Sequence, residues 1–216
     1  MNSLRQFIGR IRLQLRGKNQ IVGWRMTPAE ARAFFSVQRK TVLTLLGFSV
    51  KYESEDAMLQ TVQEILLGYS PETTLVNIGA TEGGIGAAYP LAKSLRFTTT
   101  GIVSTMALEE GAPISEAVDF VCFIADDQWG GKLPGSNELS PTSKAMVACS
   151  DILICIGGGE ISRDELVAAQ EKGKPVYFYP AEVNHAWAIE RAEKMGLPNP
   201  DSFWGEAHEI FGKRHG

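Results

Sequence analysis

Short apolar runs alternate with amphipathic stretches along most of the chain. The runs predict strands near residues 41–46, 74–78, 100–105, 119–125, 151–156 and 175–179. Apolar spacing of three and four, with helix-start signals such as Thr27-Pro28-Ala29-Glu30, predicts helices near 27–38, 54–69, 85–95, 141–149, 163–172 and 185–195. Apolar strands that alternate with helices are typical of a parallel sheet covered on both faces. We therefore predict an α/β fold: a Rossmann-like, doubly wound, mainly parallel sheet with helices on both faces.

The beginning of the chain has a different pattern. Residues 1–38 predict a helical extension ahead of a Rossmann-like nucleotide-binding domain at residues 39–216. The apolar residues at helical spacing are Leu4, Phe7, Ile8, Ile11 and Leu15, and no acidic residue precedes Glu30. Three interpretations of this basic amphipathic helix remain open. It packs on the body or at a subunit interface, it contacts a membrane surface or another anionic partner, or it is a mitochondrial-type transit peptide.

Composition narrows the class of protein. The chain has 216 residues, a net charge of −4 and 44% apolar residues, which is typical of a soluble domain with a sizeable core. This charge argues against nucleic acid as the main partner, and no apolar run reaches membrane-spanning length. The three cysteines lack a CxxC spacing. We interpret them as buried free thiols in a reducing compartment, so the predicted location is cytoplasmic.

Nothing in the sequence predicts a cofactor or a metal site. The three histidines are scattered, at positions 185, 208 and 215. Asp126 and Asp127 follow a predicted strand and are oxygen donors of the kind that Mg²⁺ prefers. A pair of this kind is more often a solvated turn, and that is how we interpret it.

Glycine-rich turns follow three of the predicted strands. They are Gly47-Phe48-Ser49, Gly83-Gly84-Ile85-Gly86 and Gly157-Gly158-Gly159. Glycine lets backbone N–H groups approach a phosphate, and a helix N-terminus adds a favourable dipole. Ligands in such sheets sit outside the carboxyl ends of the strands. The turns therefore predict a site for a nucleotide or a related phosphorylated ligand, against the alternative that they only allow tight turns.

The residues after the third glycine turn have two interpretations. Ser162 and Glu165 have the spacing of a capping box, which would make both of them structural. Alternatively, Glu165 points into the site, where it binds a ribose hydroxyl or stabilises positive charge as a glycosidic bond breaks. Arg163 would then bind a phosphate through two hydrogen bonds. In the long loop 126–140, Trp129 either stacks on a base or anchors the loop.

One motif points elsewhere. The turn at 80–86 resembles the cofactor turn of short-chain dehydrogenases, and Tyr89 and Lys93 have the YxxxK spacing of that family. In those enzymes the Tyr–Lys pair lies far downstream of the glycine turn, on another helix. Here the two motifs abut, so we set this interpretation aside.

Over residues 40–180 the chain resembles the Lonely-Guy-type phosphoribohydrolases and their relatives, which include lysine decarboxylase-like and molybdenum-cofactor carrier-like proteins. The matching positions are the turns at 47–49 and 83–86, Met146, Asp151, Gly158, Gly159, Glu165 and the Gly-Lys-Pro-Val run at 173–176. Gly157 replaces the family's proline, and Ile161-Ser162 replaces Gly-Thr. The family's catalytic arginine falls at Thr142, with Lys144 as the nearest cation.

The resemblance implies a homodimer that binds a small nucleotide or phosphorylated ligand. The missing arginine favours a non-catalytic binder or sensor, with an N-glycosidic-bond hydrolase or transferase that uses Glu165 as the alternative. The predicted ligand-binding residues are Gly47, Phe48, Ser49, Gly83, Gly84, Gly86, Gly157, Gly158, Gly159, Ser162, Arg163, Lys144 and Trp129.

Overall fold

A computed structural model describes residues 10–14 and 20–212, with side chains described from residue 22 onward. Its strands are β1 Arg10–Gln14, β2 Gln20–Met26, β3 Thr41–Gly47, β4 Thr74–Ile78, β5 Thr98–Ser104, β6 Phe120–Ile124, β7 Ile152–Ile156 and β8 Val176–Tyr179. Its helices are α1 Pro28–Ser36, α2 Glu55–Leu66, α3 Ala88–Ser94, α4 Met106–Glu109, α5 Pro141–Cys149, α6 Glu160–Glu171, α7 His185–Lys194 and α8 Glu206–Phe211. A 3₁₀ turn, Gly84–Ala87, leads into α3.

All of these strands join one sheet, in the order β1-β2-β6-β5-β4-β3-β7-β8. Every neighbouring pair is parallel except β1 with β2. Strand order runs outward from β3 through β4 and β5 on one side and through β7 and β8 on the other. The reversal between β3 and β7 is the switch point, where open α/β sheets hold ligands.

Helices cover both faces of this sheet, as predicted. The core on one face includes residues of α2 and α3, and the core on the other includes residues of α1, α5, α6 and α8. The predicted start of α1 is also confirmed, because Thr27 and Glu30 form a complete capping box with Pro28 in the first turn. In the part of the chain described, no helix has the length and apolar character needed to cross a membrane.

The predicted N-terminal helix is wrong for residues 10–14. These residues form β1, which pairs antiparallel with β2 and extends the sheet at its edge. The order Arg-Ile-Arg-Leu-Gln alternates polar with apolar residues and therefore also suits an edge strand. Pairing with β2 gives hydrogen-bond partners to the backbone N–H and C=O groups of residues 10–14. A short helix would leave many of these groups at its ends without a partner. Residues 1–9 of the predicted helix lie outside the described part of the chain.

Carboxylates secure the amino edge of the sheet, where the parallel strands begin. Asp151 Oδ2 accepts a hydrogen bond from the N–H of Val42, at 2.8 Å. Asp119 Oδ2 accepts from the N–H of Thr99, at 2.9 Å, and also pairs with Lys93. Each aspartate directly precedes one strand and accepts the N–H of the second residue of a neighbouring strand, so it sets the register between the two.

Candidate functional site

The structure brings the three predicted glycine turns together at the switch point. The N–H of Ile85 donates to the carbonyl of Phe48, at 2.8 Å. Gly84 has a φ of +57°, and a Cβ there would overlap the same carbonyl. On the other side, a Cβ on Gly157 would lie 2.5 Å from the Phe48 ring. We call the group of residues 47–49, 83–86 and 157–159 the glycine strip; Ser49 and Gly83 are exposed, Gly47 and Gly159 are half-buried, and the other members are buried.

Two buried tyrosines hold the turns against neighbouring strands. Tyr52 Oη accepts from the N–H of Phe48 and donates to the carbonyl of Ile156, so it joins the first turn to β7. Tyr89 Oη likewise accepts from the N–H of Ala80 and donates to the carbonyl of Thr100. Burial raises the pKa of both phenols. Both hydroxyls therefore remain protonated and can donate at all ordinary pH values.

The contacts of Tyr89 also decide against the dehydrogenase-like interpretation of Tyr89 and Lys93. Tyr89 is fully buried and its hydroxyl is bonded at the carboxyl edge. Lys93, four residues later, pairs with Asp119 at the amino edge, at 2.8 Å. The two side chains therefore serve opposite edges of the sheet and do not form a catalytic pair.

Helix α6 begins directly after the glycine strip. Its N-cap is Gly159, which offers no side-chain acceptor to the first turn. Ser162 lies inside this turn, and its Oγ donates to the carbonyl of Gly47, at 3.0 Å. The capping interpretation of Ser162 is therefore wrong, because the helix begins three residues earlier than the local pattern indicates. Ser162 instead joins α6 to the end of β3.

Glu165 does not take part in a capping box either. It is 3% exposed, and its Oε1 accepts a hydrogen bond from Ser143 Oγ, at 2.6 Å. Ser143 in turn accepts from the N–H of Gly131, at 2.7 Å. Burial raises the pKa of Glu165 to about 8, against the lowering effect of the Ser143 hydrogen bond and with a smaller rise from Asp164. The carboxyl group is therefore largely protonated at neutral pH.

The predicted cations are engaged by acidic neighbours. Arg163 Nε lies 3.0 Å from Oδ1 of Asp164, and a second guanidinium nitrogen is at the same distance. Lys144 Nζ lies 3.1 Å from Glu138 Oε2 and is exposed. The structure therefore places neither of them as a free cation beside the glycine strip.

Thr142 occupies the position that corresponds to the family's catalytic arginine. Its N–H donates to Asp126 Oδ2, at 2.8 Å, within the first turn of α5. Its Oγ1 is buried and has no hydrogen-bond partner among the described residues. Asp126 is buried, and its two carboxylate oxygens accept from the N–H groups of Thr142 and Gln128, so it forms a turn that is packed on α5 rather than solvated.

The loop after β6 reaches the first turn of α6 from the side. A Cβ on Gly130 would lie 3.0 Å from Cγ2 of Ile161 and 3.1 Å from Ser143 Oγ. Trp129, the residue before, is 37% exposed. The loop therefore covers the Ser143–Glu165 hydrogen bond and leaves the Trp129 ring partly open to solvent.

Sequence reasoning missed the C-terminal segment at this site. The N–H of Ala207 donates to the carbonyl of Gly158, at 3.1 Å. Gly205 has a φ of +74°, and a Cβ there would lie 2.5 Å from that carbonyl. Glu206 Oε2 lies 3.4 Å from the Cβ position of Gly159. Gly205, directly before α8, is the sequence signal that could have predicted this contact, because a glycine can mark a close approach of two backbones.

The cysteine thiols and the residue types that bind metals are the remaining candidates for chemistry. Cys122, Cys149 and Cys155 are buried free thiols, as predicted, and burial raises the pKa of each. A raised pKa keeps them protonated and unreactive. Over the described residues, no three His, Cys, Asp or Glu side chains gather as a metal site.

Several solved structures resemble this chain. A Moco carrier protein from Chlamydomonas reinhardtii is 22% identical, with a TM-score of 0.47 over 65% of this chain and 76% of that one. A molybdenum cofactor binding protein from Rippkaea orientalis is 23% identical, with a TM-score of 0.48 and the same coverage. DNA processing protein A from Streptococcus pneumoniae is 12% identical, with a TM-score of 0.45 over 82% of this chain and 63% of that one.

These likenesses concern the fold. Molybdenum-cofactor carriers are also among the relatives that the sequence motifs resemble, and the α/β sheet described above is the fold expected from that resemblance. No family model matches the chain, and no curated protein matches it.

Proposed function

We propose that this protein binds a nucleotide or a related phosphorylated small molecule at the glycine strip, as a binder or sensor rather than as a catalyst. The observation that carries the proposal is the meeting of three glycine turns at the switch point, directly before a helix whose N-cap is Gly159. Where the strip reaches the surface, at Gly47, Gly83 and Gly159, a ligand can approach the backbone closely, because glycine has no side chain.

The first turn of α6 supplies the anion-binding element. The helix is 12 residues long, so its N-terminus carries the positive end of a developed macrodipole. The N–H groups of Glu160, Ile161 and Ser162 precede the first intrahelical bonds and are the donors available to a phosphate. Ser162 keeps this turn in place through its hydrogen bond to Gly47.

The surrounding charges limit how much negative charge the ligand carries. Glu160 is exposed, and Glu206 lies beside Gly159. Arg163 is already paired with Asp164. These carboxylates oppose a triphosphate and are compatible with one phosphate group, since each like charge at this range weakens binding. A nucleoside monophosphate or a similar monophosphate is therefore the ligand class that the edge suits best.

The positions of the polar side chains favour binding over catalysis. At the position of the family's arginine, Thr142 has a buried hydroxyl within a helix turn. The Arg163 and Lys144 side chains are engaged by Asp164 and Glu138. Cleavage of an N-glycosidic bond needs a cation or an acid held at that bond. The cations of Arg163 and Lys144 are held by carboxylates instead.

One observation supports a second candidate, hydrolysis of an N-glycosidic bond. A general acid must hold its proton at neutral pH, and burial gives Glu165 a pKa of about 8. Incubation with AMP separates the two candidates. A binder returns AMP unchanged, whereas a glycosidase releases adenine, and release that is abolished in Glu165→Gln would establish the second candidate.

Titration of AMP by calorimetry tests the proposal, with a cyclic nucleotide and molybdenum cofactor as further ligands in the panel. Glu206→Gln removes a negative charge beside Gly159 and should tighten AMP binding about threefold to tenfold. Glu209→Gln, on an exposed position of the same helix, is the matched control and should leave affinity unchanged. A gain of affinity cannot be produced by partial unfolding. Equal affinities for wild type and Glu206→Gln, or no phosphorylated ligand bound, would contradict the proposal.

A further inference from the structure

A cavity lies at the carboxyl edge, between the start of α2 and the end of β8. Its volume is about 220 Å³. Met58, Ile156 and Ala181 contribute apolar surface, and Glu53, Glu182 and Trp204 contribute two carboxylates and an indole. We call it the Trp204 cavity.

Both carboxylates are held in place by the first turn of α7. Glu53 Oε2 accepts from the N–H of His185, at 2.9 Å, and from Asn184 Nδ2, at 3.1 Å. Glu182 Oε2 lies 3.0 Å from Nε2 of His185. In each carboxylate these contacts use one oxygen. The other oxygen of each is available to a ligand, and the orientation of both groups is set before a ligand arrives.

The indole of Trp204 is held as well. Its ring is stacked on that of His208, with centroids 4.9 Å apart and planes at 21°. The next residue, Gly205, packs against Phe48 and Gly158, which ties the backbone to the glycine strip. Trp204 is nevertheless 37% exposed, so part of its surface stays open to the cavity and to solvent.

We propose that the Trp204 cavity binds a small organic cation, namely an ammonium or guanidinium group on a short hydrocarbon chain. The cation pairs with Glu53 and Glu182 and lies against the indole, which attracts cations through its ring electrons. The hydrocarbon chain contacts Met58, Ile156 and Ala181.

Size and charge separate this site from the glycine strip. Pockets for larger organic ligands are typically about 300–1,000 Å³, so a cavity of about 220 Å³ suits a smaller molecule than a nucleotide. Two carboxylates also oppose a phosphate, because like charges at this range repel. The proposal is therefore independent of the function proposed for the glycine strip and can fail while that function holds.

Agmatine, which carries a guanidinium and an amine on a four-carbon chain, is the probe. Calorimetry at constant ionic strength should show saturable binding of agmatine and none of butyrate or 1-butanol. Glu182→Gln should weaken agmatine binding about tenfold, because it removes one charge-assisted hydrogen bond. Trp204→Leu should weaken it about threefold or more by removing the cation–ring contact. Glu209→Gln, outside the cavity, should bind as wild type does.

Melting temperatures without ligand establish that each variant is folded. Two different variants are used so that a loss of stability in one leaves the other informative. The proposal is overturned if agmatine fails to bind at about 10 mM, an affinity range that is still measurable. It is equally overturned if butyrate binds as agmatine does, or if either folded variant keeps wild-type affinity.

Discussion

The amino edge of the sheet and the start of α6, at its carboxyl edge, treat their backbone donors in opposite ways. At the amino edge, Asp119 and Asp151 each accept the N–H group of the second residue of a neighbouring strand. At the carboxyl edge, Gly159 caps α6 without a side-chain acceptor. The amino edge is closed by its own carboxylates, whereas the first turn of α6 has no side-chain acceptor for its backbone donors. This difference, more than the glycines alone, supports the ligand site that we propose at the start of α6.

The two edges also differ in how well their contacts tolerate amino-acid substitutions. The amino-edge contacts are made by partly exposed side chains such as Lys93 and Asp119. The carboxyl-edge contacts are made by backbone that is packed directly on backbone, as where Gly84 meets Phe48. A flexible side chain can move aside, but two joined turns cannot. Substitutions should therefore have their largest effects within the glycine strip.

Gly84→Ala should give the largest loss of stability. The new Cβ would overlap the carbonyl oxygen of Phe48, and the backbone φ of +57° is strained for alanine. Overpacking and backbone strain together should cost about 3–4 kcal/mol. Urea unfolding measures the change. Gly79→Ala is the matched control, since a Cβ there meets nothing within 4 Å, and it should change stability by less than about 0.5 kcal/mol. Equal effects of the two changes would refute the tight packing of the strip.

Glu165→Gln should change the pH dependence of stability. The pKa of Glu165 rises from its ordinary value of 4.5 to about 8 on burial. Because the folded protein then holds a proton that the unfolded chain releases, stability falls as pH rises between these two values and is level outside them. The slope is roughly 1 kcal/mol per pH unit. Glutamine cannot ionise, so the variant should lose this slope and be more stable than wild type at pH 8, by roughly 2–3 kcal/mol.

Urea unfolding at pH 5, 6.5 and 8 measures this effect. Glu160→Gln changes an exposed carboxylate in the first turn of the same helix and is the control, for which the wild-type slope should remain. A slope that persists in Glu165→Gln would show that another group titrates in this range, and the protonated state assigned to Glu165 would be wrong.

Most of the fold followed from local patterns. The mainly apolar runs at 41–46 and 74–78 lie within β3 and β4, because a strand buried on both faces needs mostly apolar residues. The strand β1 was missed because the order Arg-Ile-Arg-Leu-Gln suits both a helix face and an alternating strand. Only pairing with β2, a contact outside the segment, decides between them. The short helix α8 was missed because six residues give too little periodicity.

The candidate site was predictable in position but not in its contacts. Glycines after apolar strands placed the three turns at one edge, since parallel strands end at the same side of a sheet. The partners of Ser162 and Glu165 lie 115 and 22 residues away, at Gly47 and Ser143. No local pattern specifies such partners, and the capping-box spacing that links Ser162 to Glu165 was therefore misleading.

Asp119→Ala tests the closed edge. The carboxylate accepts from Lys93, from the N–H of Thr99 and from Thr99 Oγ1. Its loss leaves a strand N–H without an acceptor and should cost about 2 kcal/mol. Asp119→Asn keeps an acceptor for that N–H and should cost about half as much. Ligand affinity at the glycine strip should stay at the wild-type level in both variants. Weakened ligand binding in a variant that is still folded would contradict the division of roles between the edges.

Thr142→Val should have the smallest effect on stability, and unlike Asp119→Ala it should stabilise the protein. Thr142 is 3% exposed, and its Oγ1 has no hydrogen-bond partner among the described residues. Valine has nearly the same shape, and it removes a buried hydroxyl that lost its water contacts on folding. The variant should therefore be more stable by about 0.5–1 kcal/mol.

Ser143→Ala is the matched control, because Ser143 bonds both Gly131 and Glu165. Its loss should destabilise the protein by about 2 kcal/mol. Melting curves of the two variants, with and without AMP, make the comparison. If Thr142→Val instead destabilises the protein or weakens AMP binding, the hydroxyl has a partner at the carboxyl edge. The residue at the arginine position would then belong to the ligand site.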